Sequence, residues 1–409
     1  MPILLTLNPG SNSLKADVVE VRPEQRFGCE SETRIGAIVE NIGKQESASF
    51  SRMQGRETAE SREVEAKSFT DATGVLLDWL RQQAGEHGAR YEEVDLAAVR
   101  VVHGGTRFEK PVIVDASVES EIEALQRFAP LHNARSLEVI RALRKHAPEL
   151  KIAAGFDTSF YRKMPEVAWR YPLPPELADK HGIRRYGFHG FSHRSLLERY
   201  ALESNRPLDE IRLISLHLES GCSATAIRDG VAVDNSMGLT PLEGLMMGTR
   251  SGSVDPAIVQ VLMQQAELDV DGALEVLTKQ SGLRGVSGIS LDTRVLMKQL
   301  GVPRAALAME MFCYSVSKQV GAYLATLGGA EAIVFGGGIG EDEPMVRARV
   351  CRTLRWAGAE LDEEVNKRSI FQPGRLSTPN ARLAVWTLPA AEAAQIAFEC
   401  AALIQTVSF

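Results

Sequence analysis

Short apolar runs broken by glycine- and serine-rich turns form the main pattern along the chain. Residues 3–21 begin with such a run, turn at 8–13 and resume an extended apolar pattern, which predicts two strands joined by a loop. Residues 212–233 repeat this order around a turn at 219–223, and 224–233 is predicted as one extended strand. The repetition predicts a chain built of two similar halves.

Apolar residues at helical spacing fill the stretches between these units. The spacing predicts helices over 71–84, 118–125 and 136–146, and an alanine-rich segment predicts a further helix over 391–404. Strands that alternate with helices are typical of an α/β fold with a parallel sheet. Residues 40–70 are mostly polar and predict surface strands or a loop.

Composition excludes several classes of protein. The 409 residues are 44% apolar and 24% charged, which fits two or three globular domains and excludes a disordered chain. No run approaches the ~18 apolar residues of a membrane helix and the start lacks a secretory signal, so we expect a cytoplasmic protein without a membrane partner. A net charge of −7 argues against a nucleic-acid partner. Five scattered cysteines without a C-x-x-C pair argue against disulfides and structural zinc.

A third glycine-rich turn, at 336–341, follows the apolar run 332–335. Three such turns after strands suit a ligand with several phosphates, because glycine lets backbone N–H groups surround the oxygens. Each turn alone is more often an ordinary hairpin. None matches the Walker loop, and Glu341 stands where the dinucleotide fingerprint needs its last glycine. The three turns together favour a nucleotide, bound by neither of those two motifs.

Two arginines lie beside glycines and are candidates for binding an anion. Arg100 heads a predicted strand that ends in a glycine pair, and Arg250 lies between Gly248 and Gly252. Each has the alternative of an ordinary surface or flanking role. Two arginines in such settings fit bidentate binding of a carboxylate or phosphoryl group.

Histidines and one aspartate complete the candidate residues. His189 and His193 are four apart, which is compatible with two metal ligands on a helix, but Gly187 and Gly190 argue against a helix, and a core or active-site histidine fits better. Asp157 follows a short apolar run and is either a ligand contact at the end of a strand or a simple helix N-cap.

Eight longer motifs follow one another through nearly the whole chain. They are LTLNPGSNSLK at 5–15, RVVHGG at 100–105, APLHN at 129–133, FDTSF at 156–160, YGFHGFSH at 186–193, DNSMGLTPLEGLMMGTRSG at 234–252, SGLRGVSGIS at 281–290 and FGGGIGED at 335–342. In order and spacing these motifs resemble those of the acetate/propionate/butyrate kinase family, within the sugar kinase/Hsp70/actin superfamily.

The resemblance implies an α/β fold of two duplicated ribonuclease H-like domains, the actin-like ATPase fold, flanking a central cleft. The implied N-terminal domain is 1–155 plus 390–409, closed by the C-terminal helix, and the implied C-terminal domain is 156–389 with the adenosine loop. The implied reaction is reversible, direct in-line transfer of the γ-phosphoryl group of ATP to acetate, giving ADP and acetyl phosphate. Magnesium and a homodimer are implied as well.

The same resemblance implies roles for individual residues. The implied catalytic residues are Arg100, Asp157, His189 and Arg250. The implied acetate-binding residues are Arg100, Val102, Leu131, Phe188 and Pro241. Asn8 and Glu392, with Asp157, correspond to residues around magnesium. The implied nucleotide-side residues are Ser13, Lys15, His132, His217, Leu218, Glu219, Ser220, Gly221, Asp292, Thr293, Arg294, Gly336, Gly337, Gly338, Ile339 and Gly340.

The chain departs from the family pattern on the phosphate-donor side. Glu219 and Ser220 stand where the family usually has Gly and Asn, and Ser253 replaces an acidic residue. A family member with an altered phosphoryl donor, or a nucleotide-binding module, is therefore one alternative function. A kinase for propionate or a longer acid is another, because each methylene contributes only ~1–3 kcal/mol of discrimination.

Overall fold

The computed structural model describes residues 1–44, 46–55, 57–83 and 90–405. The chain forms two compact units, one of Met1–Arg162 with Ala391–Phe409 and the other of Lys163–Ala390. Each unit is built around its own sheet. Among the described residues, no helix is both long and apolar enough to cross a lipid bilayer.

Fourteen strands form the two sheets of the described chain, eight in the first unit and six in the second. Those of the first unit are β1 (Ile3–Pro9), β2 (Leu14–Glu20), β3 (Glu32–Glu40), β4 (Ala48–Gln54), β5 (Glu57–Val64), β6 (Leu96–Val101), β7 (Val112–Ile113) and β8 (Ile152–Phe156). Those of the second unit are β9 (Arg212–Leu218), β10 (Cys222–Arg228), β11 (Val231–Asn235), β12 (Ala332–Gly336), β13 (Gly374–Arg375) and β14 (Ala384–Thr387).

Helices connect the strands and cover the sheets. In chain order they are α1 (Phe69–Gln82), α2 (Ala116–Ala124), α3 (Pro130–His146), α4 (Glu166–Trp169), α5 (Pro175–His181), α6 (Gly190–Ser204), α7 (Ala257–Gln265), α8 (Val270–Lys279), α9 (Gly282–Ser287), α10 (Thr293–Met297), α11 (Pro303–Leu327), α12 (Gly337–Asp342), α13 (Pro344–Thr353), α14 (Glu363–Arg368) and α15 (Glu392–Gln405).

The two sheets repeat one strand order, which confirms the predicted duplication. The first sheet runs β5-β4-β3-β2-β1-β6-β8-β7 and the second β11-β10-β9-β12-β14-β13. In both, three antiparallel strands are followed by two parallel ones and a two-residue antiparallel edge strand. This is the ribonuclease H-like order, so the predicted fold class is confirmed. The polar segment 40–70 supplies two additional strands, the exposed edge strand β5 and its neighbour β4, which lies between β5 and β3.

Both faces of the first sheet are covered. Side chains alternate along β1, so Ile3, Leu5 and Leu7 join the core formed with α1 and α3, while Leu4 is buried on the opposite face. The C-terminal helix α15 packs against β1, β6 and β8. Burial on both faces is what a sheet with parallel strands requires, and it leaves the carboxyl ends of those strands as the places for polar side chains.

Three local predictions are wrong. Residues 224–233 form two strands, because Asp229 and Gly230 both have positive φ and make a two-residue hairpin turn between β10 and β11. The predicted turn at 336–341 is mostly the helix α12. Gly187 and Gly190 were expected to argue against a helix, yet α6 begins at Gly190. The predicted helices at 118–125, 136–146 and 391–404 match α2, α3 and α15. The predicted helix at 71–84 matches α1, although Ala84 lies outside the described residues.

Candidate active site

The carboxyl ends of three adjacent parallel strands bring four polar side chains of the first unit together. Asn8 lies near the end of β1, Arg100 near the end of β6, and Asp157 directly after β8, while Glu392 is the first residue of α15. The strands β1, β6 and β8 are neighbours, so their carboxyl ends share one edge of the sheet, the usual ligand position in α/β folds. Arg100 was predicted at the head of its strand, which is wrong.

A buried ion pair organises this cluster. The Nη2 and Nε atoms of Arg100 donate to the Asp157 carboxylate, with 2.6 Å from Nη2 to Oδ2 and 3.1 Å from Nε to Oδ1. Nη1 donates to Asn8 Oδ1 at 2.8 Å, and Asn8 Nδ2 donates to Glu392 Oε2 at 2.8 Å. Glu392 Oε2 also lies 3.7 Å from Arg100 Nη1. Because Asp157 is fully buried, the two-pronged bond fixes the plane of the guanidinium.

The structure excludes the structural alternative for each of these two residues. The side chain of Arg100 is only 11% exposed, so it is not a surface arginine. Asp157 is the first residue of a short 3₁₀ helix, Asp157–Tyr161, whose N-cap is Phe156, so it is not a simple cap.

The other predicted residues of the first unit surround this edge more loosely. Val102 is buried one residue beyond β6, whereas Leu131 is 48% exposed on the first turn of α3, next to His132. The Ser13 carbonyl accepts from Gly10 N at 2.7 Å and closes the β1–β2 turn. Lys15 Nζ lies 3.4 Å from the carboxylate of buried Asp17.

In the second unit, His189 is held by its ring and by its backbone. It is the N-cap residue of α6, with φ +58°, and its Nδ1 lies 2.8 Å from Ser223 Oγ on β10. Its ring centroid is 4.3 Å from that of His217 on β9. Both ring nitrogens of His193 pair with serine hydroxyls, so neither is directed at a metal shared with His189.

Arg250 lies beside His189 at the β9–β10 turn. A Cβ on Gly221 would be 3.0 Å from Arg250 Nη2 and 3.5 Å from His189 Nε2, so glycine is what lets both side chains approach the turn. Nη1 of Arg250 donates to the Pro241 carbonyl at 2.6 Å. Burial lowers the pKa of Arg250, yet an arginine stays protonated. Arg250 forms no ion pair with any described carboxylate, so its charge remains uncompensated.

A clamp that the sequence analysis missed holds the segment carrying Pro241. Arg185 donates to the carbonyls of residues 235–237 and, through Nη2, to Glu243 Oε1 at 2.6 Å. The other Glu243 oxygen accepts from the Tyr171 hydroxyl, which accepts from Leu239 N at 3.0 Å. Burial and the Glu243 carboxylate raise the pKa of Tyr171. Glu243 lies inside the 234–252 motif, and that position was the one available signal.

Asp234 lies at the edge of this clamp, 3.8 Å from Arg185. Burial raises the pKa of Asp234 to about 6, although Arg185 acts in the opposite direction.

Phe188, predicted for the acetate pocket, is buried before α6, and Asn235 Nδ2 donates to its carbonyl at 3.3 Å.

The Glu219 carboxylate lies near a histidine. The residue follows buried Leu218 at the β9–β10 turn, its side chain is 62% exposed, and its Oε2 is 3.5 Å from His217 Nε2. The Ser220 carbonyl accepts from Gly248 N at 3.1 Å and ties the turn to the segment before Arg250. Ser253 Oγ accepts from Gly244 N at 3.1 Å.

The predicted adenosine loop is the junction of β12 and α12. Gly336 ends β12, and Gly337, with φ +74°, approaches so closely that a Cβ would lie 2.7 Å from the Leu218 carbonyl. Glu341 Oε1 accepts from Gly337 N at 3.0 Å and from Ala390 N at 3.3 Å, which gives this glutamate a structural reason for replacing a glycine. The remaining loop residues, Gly338, Ile339 and Gly340, form the first turns of α12.

Asp292, Thr293 and Arg294 lie where α10 begins. Asp292 is its N-cap and pairs with Arg294, with 2.7 Å between Oδ2 and Nη2. That pair lowers the pKa of Asp292. Thr293 Oγ1 donates to Glu343 Oε1 at 3.3 Å. Arg294 is 77% exposed, so its position is set mainly by Asp292.

The chain is similar to known proteins over nearly its whole length. The model of the acetokinase family matches residues 3–398. The acetate kinase of Halothermothrix orenii is 39% identical, over 98% of this chain and 100% of its own. That of Chloroherpeton thalassium is 37% identical, over 96% of this chain and 97% of its own.

Solved structures give the same result. The crystal structure of Porphyromonas gingivalis acetate kinase is 35% identical, with a TM-score of 0.86, and the match covers 100% of both chains. A propionate kinase from Francisella tularensis is 34% identical with a TM-score of 0.87, over 98% of this chain and 99% of that one. The family model alone covers nearly the full length, and the chain belongs to the acetokinase family.

Proposed function

We propose that the protein transfers the γ-phosphoryl group of ATP to acetate and releases ADP and acetyl phosphate. The observation that carries this proposal is Arg250, a guanidinium that has no carboxylate partner in the described part of the chain and lies beside His189 at a glycine-bordered turn. Such a group is suited to an oxyanion. The names of the similar acetate kinases support acetate as the phosphoryl acceptor.

The chemistry needs few protein groups. A carboxylate acceptor is already ionised at neutral pH, so no general base is required. One of its oxygens attacks the γ-phosphorus while the bond to the ADP oxygen breaks, and charge spreads over three equatorial oxygens. Arg100 and Arg250 would neutralise negative charge, and His189 would donate to a phosphoryl oxygen. No step needs a covalent intermediate on the protein.

Magnesium fits the oxygen-rich cluster of the first unit. Asn8, Asp157 and Glu392 offer two carboxylates and an amide, the donors that Mg²⁺ takes while it keeps several waters. The Asp157 and Asn8 oxygens already accept from Arg100, and the Glu392 carboxylate accepts from Asn8 Nδ2. Mg²⁺ bound there would neutralise phosphate charge, and the three residues would hold it directly or through its waters.

The test is an acyl-phosphate assay in which hydroxylamine traps the product. With Mg²⁺ and ATP we expect hydroxamate from acetate, and a higher kcat/KM for acetate than for propionate or butyrate. GTP and pyrophosphate serve as alternative donors, and a reaction without a donor is the blank. A preference for propionate would contradict the acetate assignment, and no hydroxamate with any acid and donor would contradict the kinase itself.

Arg100→Lys and Arg250→Lys should each reduce kcat by about 10²-fold or more, the scale of losing one preorganised oxyanion donor. A lysine ammonium cannot reproduce the two-pronged bond of Arg100 to Asp157. The control is Arg141→Lys, since Arg141 is 50% exposed and pairs with Glu119 at the surface. Turnover near that of the parent in both variants, with intact thermal unfolding, would refute these roles.

The double change Glu219→Gly, Ser220→Asn should lower KM for ATP. A carboxylate ~5 Å from a phosphate charge costs about 3 kcal/mol at an effective dielectric of ~20, and exposure of Glu219 reduces this, so we expect roughly a three- to tenfold effect. The control is Glu267→Gly, an exposed glutamate at φ +54°. An unchanged KM at every magnesium concentration would show that the departure is electrostatically neutral.

We also propose that two copies associate through the second unit. Leu307, Met311 and Tyr314 form an exposed apolar stripe along α11, and Tyr314 is 67% exposed. The stripe lies at helical spacing i, i+4, i+7 on one face. Val295 is a further exposed apolar residue on α10, which packs against α11. A continuous apolar stripe of this kind indicates a protein interface, and a second copy is the partner that the family resemblance implies.

Met311→Arg should convert a dimer into a monomer of 44.7 kDa, because burying an unpaired charge in an apolar interface is costly. Sedimentation of the parent should give about twice that mass. Val167→Arg is the control, since Val167 is 91% exposed on α4 of the same unit. A parent that sediments only at the monomer mass would contradict the proposal.

A further inference from the structure

Four side chains in the second unit form a buried chain of hydrogen bonds that ends at His189. Ser215 Oγ lies 2.8 Å from His193 Nδ1, and His193 Nε2 lies 2.7 Å from Ser223 Oγ. Ser223 Oγ in turn lies 2.8 Å from His189 Nδ1. Ser215, His193 and Ser223 are completely buried, so water does not compete for these bonds.

The number of protons restricts how this chain can be directed. Burial and the neighbouring His217 lower the pKa of His193 well below its usual value, so its ring is neutral and carries one N–H. Each serine hydroxyl also has a single proton to donate. A Ser223 hydroxyl that accepted from both imidazole rings would have no acceptor for its own proton among the described residues, and any other mixed direction would leave a bond without a proton. The chain therefore runs either from Ser215 toward His189 or from His189 toward Ser215.

The two directions give His189 different chemistry. If the chain runs toward His189, the Ser223 hydroxyl donates to Nδ1, and the proton of the neutral His189 ring is on Nε2. If it runs away, His189 must donate from Nδ1, and a neutral ring then has only a lone pair at Nε2. A phosphoryl oxygen accepts hydrogen bonds and cannot donate one, so with a neutral His189 ring only the first direction suits an anion at Nε2.

We propose that Ser223, supported by His193 and Ser215, is a positioning residue that holds His189 as the Nε2–H tautomer. The proposal rests on the proposed phosphoryl transfer, because the anion decides between the two directions. Nε2 belongs to the ring edge that faces Gly221 and Arg250. His189 then offers an Nε2–H donor without a net charge on its imidazole, and the buried Ser223 hydroxyl holds the ring.

The first measurement is the state of His189 itself, read by ¹⁵N NMR of the full-length protein with labelled histidine. We expect a protonated Nε2 and an unprotonated Nδ1 in the parent. A protonated Nδ1, alone or together with Nε2, would overturn the proposal. This readout requires no activity, so it stays decisive if the protein phosphorylates none of the acids, a result that would refute only the proposed function.

The second measurement uses variants of the chain. Ser223→Ala should remove the single tautomer of His189 and lower kcat about 10- to 100-fold, the scale of losing a group that orients a functional histidine, with little change in KM for acetate. Ser223→Thr, which keeps the hydroxyl, should restore both the single tautomer and kcat. Ser215→Ala does not touch His189 and should shift the tautomer in the same sense with a smaller loss.

The matched control is Ser195→Ala, a buried serine on α6 whose hydroxyl donates to the Ser192 carbonyl at 2.8 Å. It should leave the His189 signals and kcat as in the parent. If Ser223→Ala fails to fold, Ser215→Ala carries the test. A parent-like tautomer and kcat in the folded Ser223→Ala variant, or in Ser215→Ala where that one does not fold, would show that the hydroxyls serve packing alone.

Discussion

The buried ion pair between Arg100 and Asp157 is the interaction on which the polar cluster of the first unit depends. A carboxylate without exposure costs several kcal/mol unless it is paired and hydrogen-bonded, and the guanidinium meets that need with Nε and Nη2. Sheet register sets the pairing, because Arg100 lies opposite Gly155, two residues before Asp157. Once Nε and Nη2 of Arg100 are bonded to Asp157, Nη1 of Arg100 is directed toward Asn8 and Glu392. One ion pair therefore orders four side chains.

The second unit positions its polar groups in a different way. Ser215, Ser223 and His193 are buried without charge, so they need hydrogen bonds but no counter-ion. Arg250 is held by a neutral carbonyl rather than a carboxylate. Its positive field is therefore not cancelled, whereas that of Arg100 is largely neutralised by Asp157. On this ground Arg250 is the stronger of the two candidates for binding an anion.

Sequence patterns were sufficient to predict two similar halves, although not their strand order, because apolar runs followed by glycine turns mark the start of each half. They failed where a local rule has two outcomes. An Asp-Gly pair inside an extended run, at 229–230, makes a hairpin only when both residues adopt positive φ. Glycines at 337–340 permit a helix start as readily as a loop, and Glu341 decides between them by bonding Gly337 N.

The candidate site was predictable only as far as motifs reach. Arg100, Asp157 and His189 belong to quoted motifs, and the resemblance supplied their roles. The side chains that hold them in place were not predictable, because Ser215 and Ser223 on adjacent strands meet His193 of α6 only after the sheet has formed. Serine is also common in buried strands, so no sequence pattern distinguishes a serine that positions a histidine from one that only packs.

Duplication of the fold did not duplicate the chemistry at corresponding strand ends. The fourth strand of the common order ends with Arg100 and Val101 in the first sheet but with Phe335 and Gly336 in the second. A charged side chain therefore occupies the place that, in the second unit, is given to a glycine and the backbone amides of a new helix. In the first arrangement the arginine holds the Asp157 carboxylate, whereas in the second the Glu341 side chain accepts from the first amide of the helix, that of Gly337. Function thus lies in the side chains at the strand ends, and the fold supplies only their positions.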